Sequence, residues 1–284
     1  MSTRLIDGKA LAAAWRERTK ETVTGLDFTP GLGVVLVGDN PASRLYVGLK
    51  EKACREAGIR FTLRELPAET EEAAVSAAVT SLNEDPEIDA ILVQLPLPPH
   101  LDADRIVGSI EPDKDADGFH PAKADRYLAD SAARRPVLVA AIEELLRATG
   151  EVMAGQRAVV VGNSSVFGTP IKKMLERAGA QATWVAADDG RLADRTAAAD
   201  MLIVAAGRPG LITGQMVKPG AIIIDVGTTR VAGRTVGDVD MDSVAGIAGH
   251  LTPVPGGVGP MTVALLLDTA VDLARQRAVR GIRG

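Results

Sequence analysis

A tyrosine and a lysine stand four residues apart in Tyr46-Val-Gly-Leu-Lys50, and on a helix that spacing turns a ring and an amine toward one face. A flat substrate can stack on Tyr46 while Lys50 addresses its reacting end. By spacing alone the pair is the ordinary surface tyrosine beside a solvated lysine, and by itself it proves little. Gln94 closes the apolar run Ile91-Leu-Val and opens the turn Leu95-Pro-Leu-Pro-Pro99. An amide there stands at the carboxyl end of a strand, where parallel sheets bind their ligands, although it also suits a loop cap. In Pro112-Asp113-Lys-Asp115-Ala-Asp117-Gly118-Phe119, three carboxylates crowd one short segment. They suit a cation, one carboxylate held for the N–H edge of a heterocycle, or a solvated acidic turn hinged at Gly118. The later glutamate of an EF-hand loop is missing, so calcium is not supported.

A second group reads as a phosphate site. Val159-Val-Val161 runs into Gly162-Asn163-Ser164-Ser165-Val166-Phe167-Gly168-Thr169-Pro170, a strand, a glycine turn and a helix expected to open on Pro170. That order aims backbone N–H groups and a helix dipole at a phosphate. The spacing is not G-x-G-x-x-G, and a plain helix-capping loop is the other reading. Asp188 and Asp189 follow the next strand, where an acid reads the adenine ribose; two acids repel a 2′-phosphate and lean the site toward NAD. They equally suit capping of the following helix.

The elements that must position these residues alternate. Apolar periodicity predicts helices over 8–25, 43–57 and 70–83, and strands over 31–37, 59–66 and 90–95. Three strand–helix repeats by residue 110 imply an α/β fold with a parallel sheet. A helix over 137–149 leads to strands 157–161, 182–186, 201–206 and 221–226, with helices 170–178 and 191–199 between them. That is the rhythm of a doubly wound, Rossmann-like nucleotide domain. A last helix, 262–278, follows the Gly/Pro-rich stretch 252–260 and is expected to return to the first domain.

Composition narrows the function classes. The 284 residues are 46% apolar and 24% charged, a globular balance sufficient for two cores. A net charge of −5 without any basic block argues against nucleic acid as partner. Cys54 is the single cysteine, and His100, His120 and His250 lack ligand spacing, so no disulfide and no metal site is expected. Charged residues interrupt the first twenty positions and every long apolar window, which leads to the expectation of a soluble, cytoplasmic protein.

Taken together, Tyr46 with Lys50, ILVQLPLP from Ile91, PDKDADGFHP at 112–121, DVG at 225–227, GDVD at 237–240 and TPVPGGVGPMT at 252–262 resemble the FolD-type methylenetetrahydrofolate dehydrogenase/cyclohydrolase family over essentially the whole chain. The resemblance implies an N-terminal folate-binding catalytic domain, 1–140 completed by 259–284, and a Rossmann-like domain, 141–258, with substrate between them and a homodimer through the second. It implies oxidation of 5,10-methylenetetrahydrofolate by a nicotinamide dinucleotide, then hydrolysis of the methenyl cation to 10-formyltetrahydrofolate. Lys50, Gln94 and Tyr46 are then catalytic, Tyr46 also stacking on the substrate, and Asp117 anchors the pterin. Gly256, Gly257, Val258 and Pro260 line the folate site. Gly162, Asn163, Ser164, Ser165, Gly168, Asp188 and Thr228 bind the dinucleotide.

The departures lie on the nucleotide side. Pro136-Val137-Leu138-Val139 stands where resembling members carry P-C-T-P, Asn163 replaces a common arginine, and Ala186 to Asp189 replace H-S-x-T. The cofactor is therefore NADP by family default, or NAD by the two acids. An alternative is a folate cyclohydrolase or folate-binding paralogue that has lost hydride transfer.

Overall fold

The computed structural model of the chain describes residues 2–281. In chain order its elements are β1 (Arg4–Leu5), α1 (Gly8–Thr24), β2 (Gly31–Val37), α2 (Pro41–Ala57), β3 (Arg60–Leu66), α3 (Glu72–Glu84), β4 (Ala90–Val93), α4 (Ala103–Val107), α5 (Pro121–Ala129) and α6 (Val137–Arg147). They continue as β5 (Arg157–Gly162), α7 (Ser165–Arg177), β6 (Gln181–Ala186), α8 (Leu192–Ala197), β7 (Met201–Ala205), β8 (Ile222–Asp225), β9 (Thr229–Val231), β10 (Arg234–Val236), α9 (Met241–Val244), β11 (His250–Leu251) and α10 (Val258–Val279). They fall into two compact units. One comprises 12–137 with 263–281, the other 2–11 with 138–262.

The first unit is built on a three-stranded parallel sheet in the order β3-β2-β4. Every residue of β2 is buried, as expected of a central strand covered on both faces. Val35, Val37, Ile91 and Val93 pack with Val75, Val79 and Leu82 of α3 and Ile106 of α4, each contributing about 1.5–3 kcal/mol on full burial. Gly33 lets α3 approach, since a Cβ there would meet the Leu82 methyls at 3.0 Å. α10 is fastened to the sheet by Arg277, whose Nε lies 3.3 Å from Asp89 with both side chains buried. The same Asp89 accepts from Gly31 N–H at 2.8 Å.

The second unit carries a six-stranded sheet, β1-β11-β8-β7-β5-β6, with every neighbouring pair parallel. Its core joins Val159, Val161, Val185, Leu202, Val204 and Ile223. β6 and β7 flank β5 on opposite sides, so the chain reverses its winding direction there. Ligands of such sheets bind outside the carboxyl ends at that reversal.

Three features differ from the sequence reading. The opening residues were expected with the first domain, yet Arg4 and Leu5 pair with His250 and Leu251 and join the six-stranded sheet; a two-residue strand is too short to show any periodicity. α7 opens at Ser165, so Pro170 lies inside the helix rather than in its first turn. α10 opens at Val258 rather than 262, taking Gly259 and Pro260 into its first turn, where proline lacks only an N–H that would go unpaired anyway. The unforeseen hairpin β9–β10 and the short α4, α5 and α9 complete the fold. No helix among the described residues is long and apolar enough to cross a membrane.

Candidate functional site

In the first unit, α2 places the amine. Asn40 caps it, its side chain accepting from Ala42 N–H and Ser43 N–H, and Gly58 ends it in a left-handed conformation. Between these stops Lys50 is buried at 9% exposure, and Tyr46 lies half-buried one turn earlier. Lys50 Nζ donates to Gln94 Oε1 at 2.8 Å. Gln94 itself is fixed twice: its main-chain N–H donates to Val35 O at 2.9 Å and its Nε2 to Leu95 O at 2.7 Å. The amide is thus a positioned partner of the lysine rather than a loop cap alone.

The three carboxylates of 113–117 separate into three roles. Asp113 pairs with Arg280 at 2.5 Å. Asp115 is buried and holds the turn, accepting from Gly118 N–H at 3.1 Å and His120 N–H at 3.0 Å. Asp117 is the one electrostatically coupled to Lys50. Lys114, between them, points elsewhere, donating to the carbonyls of Leu82, Asn83 and Asp85 where α3 ends. Gly118 has φ +81°, and a Cβ there would lie 2.8 Å from Pro136 Cα, so only glycine fits the hinge. Among the described residues no group of three or more His, Cys, Asp or Glu could hold a metal ion.

Burial governs the protonation of this cluster. It pushes the Lys50 amine below the usual lysine range, against the opposing pull of Asp117 and Cys54. It pushes the Asp117 carboxyl up to about 6, with Lys50 opposing and Asp115 assisting. Cys54, one turn beyond Lys50, is raised to about 12 by burial, so it stays a neutral thiol. Sequence reasoning named Asp115 and Cys54 but gave neither a place in the site. Asp115 carried the same signal as its acidic neighbours, and Cys54 carried the i+4 spacing from Lys50.

In the second unit, β5 runs into the glycine turn. Gly162 lies against β7, where a Cβ would stand 3.1 Å from Ala205 O. At Gly168 a Cβ would stand 2.1 Å from the Trp184 ring, so the missing side chain is what admits the indole. Trp184 Nε1 is buried without a hydrogen-bond partner, another feature the sequence did not flag. Asn163 Nδ2 donates to Ala206 O at 2.6 Å, tying the turn to the loop after β7. Gly168 N–H donates to Ser164 O at 3.1 Å, while Ser165 and Thr228 are exposed.

The two acids after β6 are not equivalent. Asp189 accepts from Arg191 N–H at 2.7 Å and pairs with Arg195 Nε at 3.1 Å, so it organises the start of α8. Asp188 is exposed at the sheet edge. Beneath the site, Asp225 accepts from Gly227, Asp238 and Val239 N–H groups. Asp238 in turn accepts from Ala206 and Gly207. Burial still raises the Asp225 carboxyl to about 6. The DVG and GDVD segments are therefore a buried brace for the loops after β7 and β8.

Gly256 and Gly257 belong to this second unit. Gly256 has φ +121° against the Lys9 stem, and Gly257 is pressed on Thr252, where a Cβ would stand 2.6 Å away. Val258 and Pro260 follow in the first turn of α10. These glycines are required by close main-chain approach, whatever else they contact.

Comparison with known proteins gives a consistent picture. Residues 6–117 match the model of the tetrahydrofolate dehydrogenase/cyclohydrolase catalytic domain, and 136–278 match that of the tetrahydrofolate dehydrogenase/cyclohydrolase NAD(P)-binding domain. The bifunctional protein FolD of Methanospirillum hungatei is 45% identical over 273 residues, covering 96% of this chain and 98% of that protein. The crystal structure of the FolD methylenetetrahydrofolate dehydrogenase/cyclohydrolase from Campylobacter jejuni superposes with a TM-score of 0.91 at 40% identity, covering 97% of this chain and all of the other. The Trypanosoma brucei FolD, complexed with NADP cofactor and an inhibitor, gives 0.93 at 38% identity, covering 99% of each chain.

Proposed function

This chain belongs to the tetrahydrofolate dehydrogenase/cyclohydrolase family, and we propose how its own residues perform the two reactions: oxidation of 5,10-methylenetetrahydrofolate to the 5,10-methenyl cation with a nicotinamide dinucleotide, and hydrolysis of that cation to 10-formyltetrahydrofolate. The observation that carries the reading is the part-buried hydrogen bond from the buried Lys50 Nζ to Gln94 Oε1. An amine whose pKa is lowered by burial has a neutral fraction able to take a proton from water. In hydrolysis the water oxygen bonds to the cationic methenyl carbon as Lys50 accepts one of its protons; Lys50 then returns that proton to N5 as the carbon–N5 bond breaks, and the remaining hydroxyl proton leaves to solvent as the formyl carbonyl forms on N10. Gln94 keeps the amine aimed during that exchange. Asp117 accepts from the N–H edge of the pterin, and Tyr46 stacks on the substrate beside Lys50. We assign Gly256, Gly257, Val258 and Pro260 to main-chain contacts with the folate.

The dinucleotide fits the glycine turn. β5 ends in the turn and α7 presents its N-terminus there, while Gly162 and Gly168 keep the turn packed on Ala205 O and the Trp184 ring. Gly162, Asn163, Ser164, Ser165, Gly168 and Thr228 would hold it, with Asp188 toward the adenine ribose. When bound, it supplies the nicotinamide that takes up the hydride. Orientation of two planar rings matters more to that step than acid strength. We assign the choice between NADP and NAD to the residues at the end of β6, where Asp188 is exposed. The reading also takes the protein as a cytoplasmic homodimer, for which light scattering would return twice the chain mass of 29.6 kDa.

Parallel initial rates of methylenetetrahydrofolate oxidation with NADP and with NAD test the proposal, with methenyl substrate supplied separately to score hydrolysis. Both activities are expected. Hydrolysis without oxidation would favour the cyclohydrolase paralogue, a reading prompted by Pro136-Val137-Leu138-Val139.

A further inference from the structure

The chemistry that distinguishes NADP from NAD is a single phosphate on the adenosine ribose, and binding it calls for a cation at the carboxyl edge of β6. The acids seen there discriminate less than their number suggests. Asp189 is turned to Arg191 N–H and the Arg195 guanidinium, leaving Asp188 alone at the edge. Asn163, in the glycine turn, is committed to Ala206 O.

Arg208 supplies the cation. It leaves the loop after β7, and its guanidinium donates to Ala187 O at 2.9 Å, the carbonyl immediately before Asp188. β7 and β6 lie on either side of β5, about 10 Å apart at the ordinary strand spacing. The side chain therefore reaches from the β7 side to the β6 side, past the end of the strand that delivers the glycine turn. Its starting point is rigid: the buried Asp238 carboxylate accepts from the N–H groups of Ala206 and Gly207, immediately before Arg208. A guanidinium has five N–H donors, and one carbonyl leaves several for a phosphate in the planar, two-point geometry that suits arginine.

We infer that Arg208 is the specificity-determining residue for the 2′-phosphate of the dinucleotide, set against Asp188, which favours the unphosphorylated ribose. The inference rests on the dinucleotide reading above.

The test uses the full-length protein and two adenosine probes that differ only by that phosphate, 2′,5′-ADP and 5′-AMP, with affinities measured by calorimetry. The wild type should hold 2′,5′-ADP more tightly. Arg208→Ala should weaken 2′,5′-ADP by about tenfold or more, the size of one lost charge-assisted contact, while 5′-AMP stays within about twofold and Arg208→Lys recovers part of the loss. Arg191→Ala should leave the ratio unchanged. Equal losses for both probes, an unchanged ratio in Arg208→Ala, no wild-type preference, or a shift carried by Arg191 instead would each overturn the assignment. NAD and NADP are titrated alongside: a wild type that binds neither removes the dinucleotide reading itself, whereas binding without an Arg208-dependent ratio removes only this inference.

Discussion

The most exposed commitments concern single side chains. If Lys50 moves the proton in hydrolysis, Lys50→Met should reduce that rate by at least about a hundredfold, the low end of what a positioned acid or base supplies. Circular dichroism and dinucleotide affinity should be unchanged, because the methionine chain fills the space of the lysine stem and Gln94 keeps its main-chain anchor on Val35 O. The pH dependence follows from burial. Lys50 works as the neutral amine, so hydrolysis should rise with pH as the lowered pKa is crossed. Asp117 pulls that pKa upward, so Asp117→Asn should move the profile to lower pH while raising KM. A profile that stays in place would detach Asp117 from the lysine. At this scale type and spacing offered Tyr46, Lys50, Gln94 and the three acids as candidates, and the family resemblance singled out Asp117 among the acids. Type and spacing could not say which of Asp113, Asp115 and Asp117 faced the amine, since three acids on one irregular segment carry no period and their directions are set by Arg280, by the 118–120 turn and by burial.

Elements raise different tests. Asp89 binds both Arg277 and the N–H of Gly31 in a buried site, so Asp89→Ala should cost about 3–5 kcal/mol in urea unfolding by leaving a guanidinium buried without its partner. A loss near zero would mean α10 is held by its apolar face alone. Gly168→Ala forces a methyl into the Trp184 ring. It should cost about 1–3 kcal/mol as overpacking and lower dinucleotide affinity, with both effects eased when Trp184 is also replaced by a smaller residue. Most helices and longer strands were legible because apolar periodicity is local. β1 and β11, two residues each, were not, since their partners lie at opposite ends of the chain. The start of α7 was misread because proline commonly opens helices, whereas here Ser165 to Thr169 already turn before it.

For the whole molecule, buried carboxyls set the acid side of stability. Asp117 and Asp225 titrate at about 6 in the folded chain and near 3.9 when unfolded. Between those values the folded state binds more protons, so their contribution is full below about 4 and is lost as pH rises through 6. Lys114, lowered to about 8, acts with the opposite slope: the folded state releases its proton first, and stability rises from about 8 toward 10.4. Urea unfolding across pH 4 to 10 should show both limbs, and Lys114→Met should flatten the alkaline one. By itself the sequence determined the α/β alternation, the glycine turn and the residue types able to move a proton, because these depend on local periodicity and side-chain chemistry. Tertiary structure alone decided that Asp189 serves α8, that Asp225 and Asp238 brace loops, that residues 4–5 complete a sheet with residues 250–251, and that Arg208 reaches the end of β6. Each depends on contacts between segments distant in the chain, whose directions are fixed only when burial obliges every polar group to find its partner.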